Sequence, residues 1–204
     1  MRKLTVAAFI SLDGVIQAPG GPEEDPSGDF RLGGWLVPYA DEQFGQAIQA
    51  LFSQPFELLL GRRTYDIFAG YWPQYSGSED RFIADLFNGV AKHVATHHPQ
   101  TLIWHNSHAL RGNLVDAINA LKHDNGADLL TQGSAELVRQ LLVAGLVDEL
   151  RLMTFPVILG HGKRLYDDCG QASAFTLAHS TSTPSGVLVA RYVRSGEVRT
   201  GSFA

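Results

Sequence analysis

Arg62 and Arg63, set between Gly61 and Thr64, are the residues of this chain best suited to hold a phosphate. The apolar run Leu58-Leu59-Leu60 before them reads as a buried strand, and Thr64-Tyr65-Asp66 after them as the opening of a helix. That order collects backbone N–H groups, a hydroxyl and two guanidinium groups at one helix N-terminus, where the helix dipole favours an anion. A guanidinium fork also suits a phosphate monoester such as the 2′-phosphate of NADP. The alternative is a plain strand–turn–helix joint with two solvated arginines. A second joint, Gln132-Gly133-Ser134-Ala135, leads into an amphipathic helix over Ala135–Ala144. Here an ordinary helix start with Ser134 near the cap is the alternative. Parallel strands bring such joints to one carboxyl end of a sheet, where ligands bind. Neither joint carries GxGxxG or a P-loop, which excludes the usual Rossmann and ATPase signatures.

Other groups are more ambiguous. Asp41 opens a helix over Asp41–Ser53 that aligns Phe44, Ile48, Leu51 and Phe52. A carboxylate in an apolar pocket gains a raised pKa and passes a proton through water; at this position Asp is equally an N-cap. Asp148 and Glu149 adjoin on a strand, so they point to opposite faces and cannot share one substrate atom. Tyr71, Trp72 and Tyr75 form either a wall for a flat substrate or ordinary packing. Gly160-His161-Gly162-Lys163-Arg164 either closes over a phosphate or merely connects two elements. The eight histidines show no HExxH motif or ligand spacing, so no metal site is expected.

The elements that must position these groups alternate. Strands are expected at Lys3–Ser11, Phe56–Leu60, Lys92–Thr96, Thr101–His105, Ala127–Thr131 and Leu146–Pro156. Helices are expected at Asp41–Ser53, Thr64–Ala69, Ser78–Phe87 (with Glu79 and Asp80 in its first turn), Asn113–Lys122 and Ala135–Ala144. Ala174–Ser182 and Val187–Arg194 flank a Pro/Gly turn as a hairpin. Gln17–Gly34 is long and rich in breakers, and is either a lid over an active site or a disordered insert. The pattern predicts one α/β domain over residues 1–195, a mostly parallel sheet closed by an antiparallel hairpin, and a flexible tail over 196–204.

With 204 residues there is room for one well-buried domain. A net charge of −5 argues against a nucleic-acid partner. No apolar run approaches the roughly 20 residues that span a bilayer. The start of the chain looks like a first strand rather than a signal peptide. Cys169 is the lone cysteine, which excludes an internal disulfide and makes a cytoplasmic setting the default.

Taken together, SLDGVI after the first strand, LLLGRRTYD after the second, TQGSAELVRQLL and VDELRLMTFPVILGHGKRLY resemble proteins of the dihydrofolate reductase fold. The resemblance runs from Lys3 to Tyr192. It is greatest to the group related to the C-terminal reductase domain of the bifunctional riboflavin-biosynthesis deaminase-reductase. It implies a three-layer α/β sandwich that binds NADPH. Gly61, Arg62, Arg63 and Thr64 would then hold the adenosine 2′-phosphate and the pyrophosphate. Thr96, with His97 as its neighbour, would flank the adenine ribose. Gln132, Gly133, Ser134 and Ala135 would form the turn over the pyrophosphate, and Ala8 and Ile16 would line the nicotinamide pocket. Trp35 to Asp41 resembles the W-x-x-P-x-D segment whose carboxylate assists protonation, with one extra residue before the Asp. Dihydrofolate reductases carry Gly-Gly at the late turn; Gln132-Gly133 here argues against a strained peptide. The residues that hold the phosphate of the riboflavin precursor are not recognisable. The resemblance implies a homodimeric, NADPH-dependent reductase that transfers hydride to a small heterocyclic or carbonyl substrate. A true dihydrofolate reductase, a 5-amino-6-(5-phosphoribosylamino)uracil reductase and a non-catalytic NADP-binding dimer are the alternatives.

Overall fold

The run Leu4–Ser11 lacks the alternation that would leave one face in water, and it forms the central strand β1, buried along most of its length. The computed structural model describes residues 1–78, 80–166 and 171–203; Glu79, Cys169 and Ala204 lie outside them. After β1 come α1 (Glu42–Leu51), β2 (Phe56–Gly61), α2 (Arg62–Tyr71), α3 (Arg81–Gly89), β3 (Lys92–Ala95) and β4 (Ser107–Ala109). Then follow α4 (Leu114–His123), β5 (Asp128–Thr131), α5 (Ala135–Val143), β6 (Glu149–Phe155), β7 (Ala174–Ser182) and β8 (Leu188–Gly196).

These strands make one eight-stranded sheet in the order β4-β3-β2-β5-β1-β6-β8-β7. The first six are parallel, and β8 and β7 close it as an antiparallel hairpin. Strand β2 shows why helices lie on both faces. Leu58 and Leu60 join Phe44, Ile48, Tyr65, Phe87 and Phe155 in one core; Leu59, between them, joins Val6, Ile118, Leu137, Leu141 and Leu150 in the other. The sheet is therefore sandwiched between α1, α2 and α3 on one side and α4 and α5 on the other, as expected. Each fully buried leucine contributes about 1.5–3 kcal/mol.

One strand falls elsewhere than the sequence predicts. Thr101–His105 is not a strand: Pro99–Thr101 forms a 3-10 turn, and β4 begins only at Ser107. Trp104 dips into the core instead, its backbone N–H donating to Tyr65 Oη (2.8 Å) and its indole N–H to Asn88 Oδ1 (2.8 Å). Ile103 beside it is left exposed. Helix α2 starts two residues earlier than expected and ends at Tyr71; Pro73 is accommodated in the 3-10 turn Trp72–Gln74 that follows.

Candidate functional site

Strands β2 and β5 are neighbours, with Phe56, Glu57 and Leu58 opposite Asp128, Leu129 and Leu130. Both strand-to-helix joints therefore lie side by side at the carboxyl end of the sheet. The Gly61 N–H donates to Gly133 O (3.1 Å). A Cβ on Gly61 would overlap the Ser134 hydroxyl and stand 2.9 Å from the Ser134 nitrogen; one on Gly133 would meet Thr64 Oγ1 at 2.7 Å. Glycine alone permits this approach, and Gly133 also has φ +140°. Thr131 ties the second joint down: its Oγ1 accepts from Gly133 N (3.2 Å) and donates to Gly133 O (3.0 Å). The peptide Gly133–Ser134 is cis, so the unusual bond lies one residue beyond Gln132-Gly133.

The two helix starts differ. Ser134 caps α5, accepting from Leu137 N at 3.4 Å. Helix α2 follows Gly61 with no side-chain cap, so its first N–H groups remain for an anion.

The two arginines diverge rather than forming one fork. Arg62 Nε bonds both oxygens of Asp66 (2.9 and 2.8 Å), one turn along α2. Its Nη1 donates to Thr96 Oγ1 (3.2 Å), His98 O (3.3 Å) and Thr101 Oγ1 (2.5 Å). The hydrogen bond to Asp66 pushes the Arg62 pKa up, and Nη2 has no partner among the described residues. Arg63 turns the other way, its Nη1 standing 3.0 Å from Asp25 Oδ1 in the 17–34 loop.

That loop is folded and pinned. Gln17 Nε2 donates to Asp25 O (2.9 Å) and Ser27 O (2.8 Å), its Oε1 accepts from Lys163 N (2.9 Å), and Trp35 Nε1 donates to Gln17 O (2.8 Å). Next to it, Asp13 accepts from Ser11 Oγ (2.7 Å), Leu159 N (3.0 Å) and Gly160 N (2.8 Å). Those bonds, led by the one from Ser11, outweigh desolvation and hold its pKa down at about 2. The cations of the 160–164 segment are engaged internally, Lys163 with Asp25 and Arg164 with Asp13.

Ala8 and Ile16 are half-buried against the core on the α5 face. Thr96 braces Arg62, His97 is exposed beside it, and Gln132 and Ala135 are half-buried around Gly133 and Ser134. Asp41 stands apart, capping α1: Oδ1 accepts from Phe44 N (2.8 Å) and Oδ2 from Ser185 N (2.9 Å) in the β7–β8 turn. The bond from Phe44 leads the causes that lower its pKa, the opposite of what a proton donor requires. Asp148 and Glu149 take separate partners, Lys122 and Arg151. Tyr71, Trp72 and Tyr75 pack on one another, ring centroids 4.9–5.9 Å apart.

The fold has counterparts among known proteins. Residues 2–189 match the RibD C-terminal domain family. The chain belongs to this family. It is 26% identical over 196 residues to the uncharacterized protein YyaP of Bacillus subtilis (strain 168), covering 96% of each chain. Among solved structures, a putative riboflavin biosynthesis protein from Shewanella sp. PV-4 is similar at TM-score 0.64 and 20% identity, covering 96% of this chain and 99% of that one. A pyrimidine reductase-like protein from Corynebacterium diphtheriae has TM-score 0.61 at 16% identity, with 96% and 93% covered. A dihydrofolate reductase from Enterococcus faecalis, complexed with NADP(H), has TM-score 0.58 at 12% identity, with 94% and 96% covered. These likenesses fix the fold as that of dihydrofolate reductase.

Sequence reasoning missed several residues of the site in this RibD C-terminal domain. Asp66 was legible as the i+4 partner of Arg62. Thr101, Thr131 and Asp25 carried no local signal, because folding alone brings them to their partners; Lys163, singled out in the basic 160–164 segment, bonds Asp25.

Proposed function

We propose that this chain is an NADPH-dependent reductase acting on a small heterocyclic or carbonyl substrate. The observation that carries it is the contact of the two joints, with the uncapped start of α2 beside Arg62, whose Nη2 is available. The residues fit the cofactor. Gly61, Thr64, Gly133 and Ser134 would bind the pyrophosphate through backbone N–H and hydroxyl groups; Arg62, with Thr96 and His97, would take the ribose 2′-phosphate. When bound, the nicotinamide supplies hydride. Ala8 and Ile16 would line the nicotinamide pocket, and the 17–34 loop would exclude water from it. Both oxygens of Asp41 accept backbone N–H groups, so we assign proton delivery to water.

One observation favours a second possibility, a non-catalytic NADP-binding protein: Asp41, the carboxylate expected to assist protonation, has a lowered pKa and both its oxygens engaged by backbone N–H groups. We further propose a homodimer in a reducing, cytoplasmic setting, supported by Leu177, Leu188 and Val193 exposed along the closing hairpin. Titration with NADPH, then NADPH oxidation over a panel of pterins, flavin precursors and carbonyls, tests the assignment. Oxidation with one of them supports the reductase, and binding without any turnover supports the second possibility. No binding refutes both. Sedimentation velocity tests the dimer.

A further inference from the structure

Asp25 is 6% exposed, yet it lies between two cations that are each well exposed: Arg63 at 52% and Lys163 at 39%. It joins three elements. Arg63 belongs to the first turn of α2, Lys163 to the segment after β6, and Asp25 itself to the 17–34 loop. Arg63–Asp25 is the ion pair that fastens this loop to α2; among the described residues, further ties run to Trp35, Leu36, Val37, His161 and Lys163, and Ala18 and Phe30 are buried in the core. Burial pushes the Asp25 carboxyl up, but its bonds from Lys163 and Ser27 and the nearby Arg63 charge outweigh this and keep it anionic. If Arg63 leaves, Lys163 Nζ (2.5 Å), Ser27 Oγ (2.7 Å) and Ser27 N (3.3 Å) still hold the carboxylate. No bare buried charge results, and the half-exposed guanidinium is free to meet another anion.

We propose that Asp25 is an internal anion that competes with the dinucleotide's phosphates for Arg63, latching the 17–34 loop onto α2 until those phosphates release it. The proposal rests on the NADPH assignment above. The Arg63–Asp25 pair latches the loop in the free protein, and the phosphates at the adenosine end of the cofactor would free its α2 side. A ligand shifts this equilibrium only through its differential affinity for the unlatched state.

Adenosine 2′,5′-bisphosphate, which carries the phosphates without nicotinamide, is the probe. Calorimetry on the wild-type chain and on Asp25→Asn is expected to give at least about fivefold tighter binding by the variant, the size of a modest coupling between sites. Hydrogen exchange on the wild type is expected to speed up over residues 19–25 when the bisphosphate binds. That measurement needs no variant and stands if Asp25→Asn fails to fold. Unchanged or weaker binding by the variant overturns the competition, and unchanged or slower exchange in the wild type overturns the release. Both results leave the NADPH assignment intact if the wild type binds the probe. Failure of the wild type to bind either the bisphosphate or NADPH overturns that assignment and the competition with it.

Discussion

The two ends of the sheet use positive charge in opposite ways. At the amino end Arg2, Lys92 and Lys122 are 6%, 0% and 4% exposed. Arg2 bonds the Ala127 carbonyl and pairs with Glu57; Lys122 pairs with Asp148 at 2.6 Å and bonds Leu146 O. Lys92 Nζ points into the carbonyls of Asn88, Val90 and His105. At the carboxyl end the side chains of Arg62, Arg63, Lys163 and Arg164 are 32–52% exposed; Arg62 pairs with Asp66 on its own helix and the other three with carboxylates on other segments. A buried cation closed by carbonyls has no donor left for a ligand, and removing it leaves unsatisfied acceptors. A half-exposed one exchanges a protein carboxylate for a phosphate at small desolvation cost. The amino end holds the fold, and the carboxyl end is built to bind.

Substitutions at each end test this division. Lys92→Ala is expected to cost about 3–4 kcal/mol in urea unfolding, from the cavity and the carbonyls left without a donor, while NADPH affinity stays within twofold. A matching loss of affinity would break the division. Gly61→Ala is expected to cost about 2 kcal/mol, because its Cβ forces the joints apart. It should also weaken NADPH binding by calorimetry, unlike the first variant. Arg62→Ala is expected to weaken NADPH roughly tenfold or more, the value of a charge-assisted bond, and NADH far less. Equal loss for both nucleotides would refute a 2′-phosphate role.

Titration sharpens the same contrast. Burial lowers the Lys92 pKa from 10.5 to about 8. Between those values the unfolded chain binds the extra proton, so stability relative to Lys92→Met should rise with pH, by at most about 1.4 kcal/mol per unit. Asp13 at the other end gives a slope of the same sign in an acid window, because its folded pKa is lowered too. Its contribution is full above the ordinary carboxylate value of 3.8 and is lost as pH falls toward about 2. Acid unfolding of Asp13→Asn against the wild type checks it. The smallest effect is expected for Asp41→Ala: a slightly lower melting temperature from the lost cap, with no change in the pH profile of turnover. A shifted acid limb would restore Asp41 as a proton donor.

Much of this was legible beforehand. The apolar runs of β1 and β2, the amphipathic helices and the Pro/Gly turn of the hairpin gave the fold, because local periodicity and breakers act over a few residues. Gly61 and Gly133 stood out for the same reason. The strand expected at Thr101–His105 failed because Trp104 is drawn inward by Tyr65 and Asn88, partners 39 and 16 residues away.

By itself, then, the sequence determined an α/β sheet, two glycine joints at its carboxyl end and a pair of arginines beside one of them. Tertiary structure alone decided what the arginines do. Arg62 is braced by Asp66, Thr96 and Thr101 toward the connection after β3, and Arg63 is drawn to Asp25 in a loop 38 residues earlier. A guanidinium commits to whichever acceptors folding brings within 3 Å or so of it, and chain order does not specify which those are.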